Sequence, residues 1–276
     1  MANAHVLEKG LSFEDARVKF GSDTVDTLCV LIKNYSKQKY PSDNFAFNSA
    51  INVLQDYLTF HRDRNVSLGE VEKIIQAFSD YKRPSYKSST KLISSKKYFK
   101  GDNFSSVIRN RKSIRNFSDK TVNISEVKKA VKLALNSPSV CNRQSWHVYA
   151  LRNKHTINKV LDLQTGNRGF RDKIKLLLIV TSDLNTFQGF NERNQCFIDG
   201  GLFSMSLLLS LHHYKLATCP LNWSNNFDED LRIRKVLKIR RSENIIMFMA
   251  VGKMISKVKV PRSEKKDITN GFSLLF

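Results

Sequence analysis

Cysteine is scarce and scattered in this chain: Cys29, Cys141, Cys196 and Cys219 form no CxxC pair and no metal-ligand spacing. A zinc site and a disulfide framework are thereby disfavoured, and the four thiols read as reduced. Four common site motifs are missing as well. There is no GxGxxG after a strand, no GxxxxGK followed by Ser or Thr, no HExxH and no GxSxG. These absences argue against a dinucleotide-binding Rossmann domain, a P-loop enzyme, a zincin and an α/β-hydrolase. No apolar run approaches the ~20 residues of a membrane span; LLLIV at 176–180 and IIMFMAV at 245–251 are the longest. The first residues are charged from Glu8 onward and contain no apolar core of a signal peptide. A soluble, cytoplasmic protein without membrane contact is expected.

Acidic residues are also in short supply, 25 Asp and Glu against 46 Lys and Arg, which leaves a formal charge of +21. Such a charge attracts polyanions or phosphorylated small molecules. The basic residues are spread along the chain rather than gathered in a tail, and no RNA-binding signature motif is present, so general solubilising charge is preferred to nucleic-acid binding. A hydrophobic fraction of 41% with 10% aromatics is that of a folded protein. The length of 276 residues admits one large domain or a domain with an extension.

The hydrophobic spacing divides the chain. From about Ser12 to Ser79, apolar residues recur at helical intervals (Val25, Leu28, Leu31, Ile32; Phe47, Ile51, Leu54, Leu58; Val71, Ile74, Ile75, Phe78), which predicts three or four helices separated by turns at YPSD, 40–43, and Asn65–Ser67. The Lys- and Ser-rich stretch 81–103 reads as a linker or wrapping segment. From Phe104 helices and strands alternate. Ser125 is placed as the N-cap of a helix carrying Val127, Val131 and Ala134. Trp146–Leu151 alternates as a strand, and KIKLLLIVT at 173–181 and NIIMFMAVG at 244–252 read as buried strands. A helix apolar nearly all round is expected from about Asn194 to Tyr214, then a short strand and loop at 216–224 and a short helix at Asp228–Leu237.

Two polar stretches carry the chemistry. IRNRKSIRNF at 108–117 gathers Arg109, Arg111, Lys112 and Arg115 around the hydroxyl of Ser113, a set suited to a phosphate; a solvated basic turn also fits it in a chain this basic. NSPSVCNRQSWHVY at 136–149 stops a helix at Pro138 and exposes backbone groups, with Asn142 and Gln144 each offering donors and an acceptor; alone it fits a helix stop before an edge strand.

Taken together, in this order and at this spacing, RKSIRNF and SPSVCNRQSW resemble the nitroreductase family of flavin mononucleotide (FMN) enzymes, whose pattern is R-R-S-x-R-x-F followed by A-P-S-x-x-N-x-Q-P-W. The likeness continues through QTGNRGF at 164–170, NQCFIDGGLFSMSLLLSLHHYKLATCPLNWS at 194–224, AVG at 250–252 and PRSEKK at 261–266. It implies an α+β fold, a central and mostly antiparallel sheet flanked by helices, at 104–276, preceded by an all-helical region at 1–80 and the linker at 81–103. It implies that Arg111, Lys112, Ser113 and Arg115 hold the phosphate, ribityl chain and polar ring edge of FMN. Pro138, Ser139, Val140 and Asn142 match a segment that reaches the partner's flavin across a homodimer interface. Asn167 matches a position at the polar ring edge; Pro220, Leu221, Asn222 and Trp223 match a loop on one ring face; Arg262 and Lys265 match basic residues that complete the phosphate site.

The chemistry is then the flavin's, with NAD(P)H as electron donor and a small-molecule acceptor, and no catalytic side chain or metal is required. His147, His212 and His213 read as structural, the last two as donors or cations at a helix C-terminus. Ser145 stands where the family has proline and Asn222 where many members have Glu. Acceptor choice falls to the loop around Thr186–Gln195. Two further functions fit: a biosynthetic dehydrogenase of a polysaccharide or peptide pathway, with the extra helices reading a partner or large substrate, and a fold that has lost turnover and binds a polyanion or protein.

Overall fold

The computed structural model describes residues 2–41, 44–78 and 88–275. They form two compact units, one made of the chain up to Leu92 together with Lys259 onward, the other of Ile93–Val258.

The first unit is helical at its N-terminal side, with α1 (Ala2–Leu11), α2 (Ser22–Lys37), α3 (Phe45–Arg62) and α4 (Gly69–Ala77). Asn44 starts α3 by accepting the Ala46 and Phe47 amides on its side chain, so two otherwise orphaned donors are met. The helical spacing read from Val25 to Phe78 is the one observed; α1, ahead of Ser12, is an addition to it. Leu7, Ile51, Leu54 and Tyr57 are shut away from solvent at the centre. The polar groups there are matched. The Tyr57 hydroxyl donates to the Phe20 carbonyl at 2.8 Å. Buried His61 accepts the Lys19 amide on Nε2 at 2.7 Å, which leaves Nδ1 to donate to the Tyr57 carbonyl at 2.7 Å.

The expected linker is structured where it is described: Thr90–Ser94 is a strand, β1, and Ser95–Tyr98 a short helix, α5; residues 81–87 lie outside the described residues. After α6 (Phe104–Asn110) come α7 (Ile124–Ala134), β2 (Trp146–Leu151), α8 (Lys154–Leu163), β3 (Leu176–Asp183), α9 (Gln195–His213), β4 (Ala217–Asn222), α10 (Phe227–Leu237), β5 (Glu243–Gly252) and β6 (Lys257–Pro261). β6 pairs with β1. Its alternation of Lys257, Val258, Lys259 and Val260 is a strand pattern inside a stretch that charge alone marks as a tail. The helix cap predicted at Ser125 belongs instead to Asn123, whose side chain accepts the Ser125 amide.

The second unit is built on a four-stranded antiparallel sheet in the order β2-β3-β5-β4. β3 and β5 occupy the centre, which is why both sequences are near-continuous apolar runs. α7 and α9 cover one face. Phe203, Leu207 and Leu211 of α9 pack with Val127 and Ala130 of α7 on Leu178, Val180 and Met249 of the sheet. Trp146 stacks on Phe203 with centroids 4.9 Å apart, so this tryptophan belongs to the core. Pro220 lies in β4, an edge strand, where a residue without an N–H costs no ladder bond. Gly200 lets α9 approach the sheet, since a Cβ there would stand 2.6 Å from Ile246.

Candidate functional site

The Arg111–Arg115 stretch runs beside β4. Ser113 forms a parallel bridge with Thr218, and the Ile114 amide donates to the Thr218 carbonyl at 2.9 Å. Ile114 is fully buried, and side chains alternate in extended chain, so Ser113 and Arg115 point the other way. The preceding turn is fixed from behind, where the Tyr98 hydroxyl donates to the Lys112 carbonyl at 3.0 Å. Several donors here remain unspent. Arg111 Nη1 and Thr218 Oγ1 are buried without hydrogen-bond partners. Neither the Ser113 hydroxyl nor the Arg115 guanidinium has a side-chain partner among the described residues. Buried polar groups are ordinarily satisfied, so an anion bearing several oxygens suits this set.

The far end of the same edge holds Asn167 and Asn222. Gln164 donates through Nε2 to the Asn222 carbonyl at 3.0 Å and accepts the Gly166 amide at 2.8 Å. Asn167 is buried and turned inward, its Nδ2 donating to the Leu161 carbonyl at 2.8 Å and to Gln164. It therefore shapes the turn beside β4 rather than presenting a free amide. Trp223 is tied to α10 by its Nε1–H to Asp230 at 3.1 Å and meets Phe248 edge-on. The Trp223 ring is thus packed against the sheet and α10.

The loop carrying Pro138, Ser139, Val140 and Asn142 leads into β2, on the opposite edge of the sheet. With strands ~4.8 Å apart, three spacings put it roughly 14 Å from β4. Cys141, Asn142 and Gln144 all have positive φ (48°, 54° and 50°), a conformation that costs on the order of 1–3 kcal/mol for each such residue. The loop is correspondingly well tethered. Ser139 Oγ accepts the Gln144 amide at 3.0 Å, and Arg143 Nη1 donates to Glu192 at 2.6 Å. The Val140 amide donates to the carboxylate of buried Asp199 at 3.2 and 3.3 Å. Ser145, in the family's proline position, is held by an Oγ–Oγ bond of 2.8 Å to Ser182. The Arg143–Glu192 pair also ties down the loop around Thr186–Gln195 expected to choose the acceptor.

Sequence comparison agrees with this geometry. The profile of the Nitroreductase family matches residues 108–167, which include both polar stretches and Asn167. Over these residues the chain is similar to the nitroreductase family. A 4-nitrobenzoate reductase from Nocardioides sp. (strain LMS-CY) is 23% identical, over 54% of this chain and 79% of its own length. Among solved structures, a nitroreductase family protein from Streptococcus pneumoniae TIGR4 superposes with a TM-score of 0.54 at 17% identity, over 63% of this chain and all of that one. A candidate NAD(P)H:FMN oxidoreductase from Staphylococcus epidermidis ATCC 12228 gives 0.55 at 16% identity, over 63% and 96% of the two chains. These structures share the nitroreductase fold.

Arg262 and His212 have surroundings that the sequence does not announce. Arg262 and Lys265 fall in the first compact unit, apart from the Ile93–Val258 unit that carries the other named residues. Arg262 donates its Nε to the Ser88 carbonyl at 2.9 Å and its amide to the Ser89 carbonyl at 2.8 Å, while Lys265 is exposed. The family resemblance matched both residues to the phosphate site; just past β6, Arg262 is engaged with these two carbonyls. His212 is no helix-end cation. Burial first, then the nearby charges of Lys215 and Arg111, lower its pKa to about 4, and it packs against Tyr98 and Phe99 as a neutral ring. Asp199 and Gln164 were not singled out from sequence. Asp199 had a legible signal, being the one acidic residue in an otherwise apolar helix.

Proposed function

We propose that the protein is a homodimeric FMN-dependent NAD(P)H oxidoreductase. The observation that carries this reading is the unspent donor set beside β4, where Arg111 Nη1 and Thr218 Oγ1 are buried without partners and Ser113 and Arg115 stand alongside. A guanidinium fork and hydroxyls meet the oxygens of a phosphate ester, and a second guanidinium suits a ring edge that gains negative charge on reduction. Bound FMN would supply hydride transfer, taking electrons from NAD(P)H and passing them to a small acceptor. The chain's own part is to fix that group, neutralise its charge and keep water from the reacting face.

Two features favour a dimer. The loop at 138–144 is three strands away from β4 in its own chain, so it serves a flavin only in a second copy. α9 also leaves Phe197, Ile198, Leu202 and Met205 exposed on one face, with 53%, 52%, 44% and 44% of their surface accessible. A Cβ at Gly201, on that same face, would meet nothing. An apolar stripe of this kind on a core helix is a contact surface.

Purified protein should be yellow and release FMN on denaturation, and NADH or NADPH should bleach the flavin absorbance. Colourless protein that FMN cannot reconstitute would sink this reading.

A further inference from the structure

We propose that Asp199 is a positioning residue which holds the 139–144 loop in its flavin-binding form; this inference rests on the flavin reading above. Asp199 lies near the start of α9 and is 1% exposed. Both its oxygens face the Val140 amide, at 3.2 and 3.3 Å, and Oδ1 also accepts Gln195 Nε2 at 2.8 Å. It thus joins a rigid core helix to the first residue of a loop in which Cys141, Asn142 and Gln144 all have positive φ. Asparagine tolerates that conformation, whereas Cys and Gln adopt it only under constraint.

The constraints are of two kinds. Within the loop, the Asn142 amide donates to the Ser139 carbonyl at 3.1 Å and the Arg143 amide to the Val140 carbonyl at 3.0 Å. These bonds shape the turn without fixing it to the sheet. Anchorage to the rest of the unit comes from Arg143–Glu192, whose acceptor sits on another loop, and from Asp199, whose acceptor sits on a buried helix. Asp199 is therefore the link that sets where Ser139–Asn142 stands relative to the core. Its carboxylate takes no part in the β4-edge site and acts only through the loop.

The test uses the full-length protein and two substitutions, Asp199→Ala and Asp199→Asn. Of the four cysteines Cys141 alone is exposed, and it lies in the loop, so its rate of alkylation by a maleimide reports loop geometry without reference to flavin. Loss of a hydrogen bond to a charged acceptor predicts that Asp199→Ala weakens FMN binding about tenfold or more and raises Cys141 alkylation about fivefold, with the far-ultraviolet circular dichroism unchanged. Asp199→Asn keeps an acceptor oxygen and should restore both quantities to within about threefold of the wild type. Wild-type FMN affinity and alkylation rate in folded Asp199→Ala would overturn the proposal. Should that variant fail to fold, Asp199→Asn decides by deuterium exchange at the Val140 amide: wild-type protection supports the anchor, and loss of protection without change in FMN affinity overturns it. Failure of the wild type itself to bind FMN rejects the flavin reading and the role built on it.

Discussion

The two edges of the four-stranded sheet are made differently. At β4 the flanking Arg111–Arg115 stretch is held through its own backbone, the Ile114 amide on the Thr218 carbonyl and the Lys112 carbonyl under the Tyr98 hydroxyl, and donors of Arg111, Ser113 and Arg115 are left over. At β2 the loop is fixed by side chains, Asp199, Ser139, Arg143 and Ser145, which hold its backbone in positive-φ conformations. One edge keeps its side chains available and the other spends them on shape. On the proposed reading the two are complementary halves of one site, contributed by different copies of the chain.

Separating the copies should have the largest effect. Introducing charge on the open face of α9, Ile198→Glu with Leu202→Glu, replaces exposed residues and should leave the fold intact. A monomer in sedimentation with no bound flavin is expected; a monomer that binds FMN as the wild type does would break the comparison.

The next effect belongs to the β4 side. His212 has a folded pKa of about 4 against an ordinary 6.5, so below pH 6.5 the unfolded chain takes up a proton that the folded chain refuses. Stability conferred by neutral His212 is complete above pH 6.5 and is lost as pH falls toward 4, by about 3 kcal/mol in all at ~1.4 kcal/mol per pH unit. His212→Phe should flatten that part of the profile in thermal melts at pH 7, 6, 5 and 4. An unchanged slope would remove His212 from the account.

Arg111→Ala should weaken FMN binding about a hundredfold, as expected for a charge-assisted contact to phosphate. It should not lower the melting temperature, because one of the nitrogens removed is buried without a partner. At the opposite edge, Arg143→Ala breaks the 2.6 Å pair with Glu192, whose side chains are only 19% and 23% exposed. A smaller loss of flavin affinity, roughly tenfold, is expected in fluorescence titration, with a small loss of stability. If Arg143→Ala cost more than Arg111→Ala, the division of labour between the edges would be reversed.

The strands and helices of the Ile93–Val258 unit were legible because their burial is regular. A central strand buried on both faces writes a run such as LLLIV, and a core helix writes α9. Ser113 and Arg115 were legible because the phosphate chemistry and the family spacing coincide on them. β1 and β6 were not, since each is five residues long and set in a Lys- and Ser-rich or basic stretch whose composition outweighs so short an alternation. The inward turn of Asn167 was also hidden: an amide in a polar turn looks the same in sequence whether it faces a ligand or the carbonyls of Leu161 and Gln164. The Arg262 bonds to the Ser88 and Ser89 carbonyls were hidden for a related reason, because backbone acceptors have no residue signature.

The central claim is that one flavin site takes its β4 edge from one copy and its β2-side loop from another. Mixed dimers test it most directly. One chain carries Arg111→Ala with an intact loop; the other keeps Arg111 and carries Ser139→Asp and Asn142→Asp, substitutions that preserve capping and tolerate positive φ while adding negative charge. Each variant alone should bind FMN about a hundredfold or more weaker than the wild type. Purified through two different tags, the mixed dimer should bind about one FMN per two chains, in the site where both halves are intact. A mixed dimer as empty as its parents would show that each chain builds its site alone, and would contradict the account.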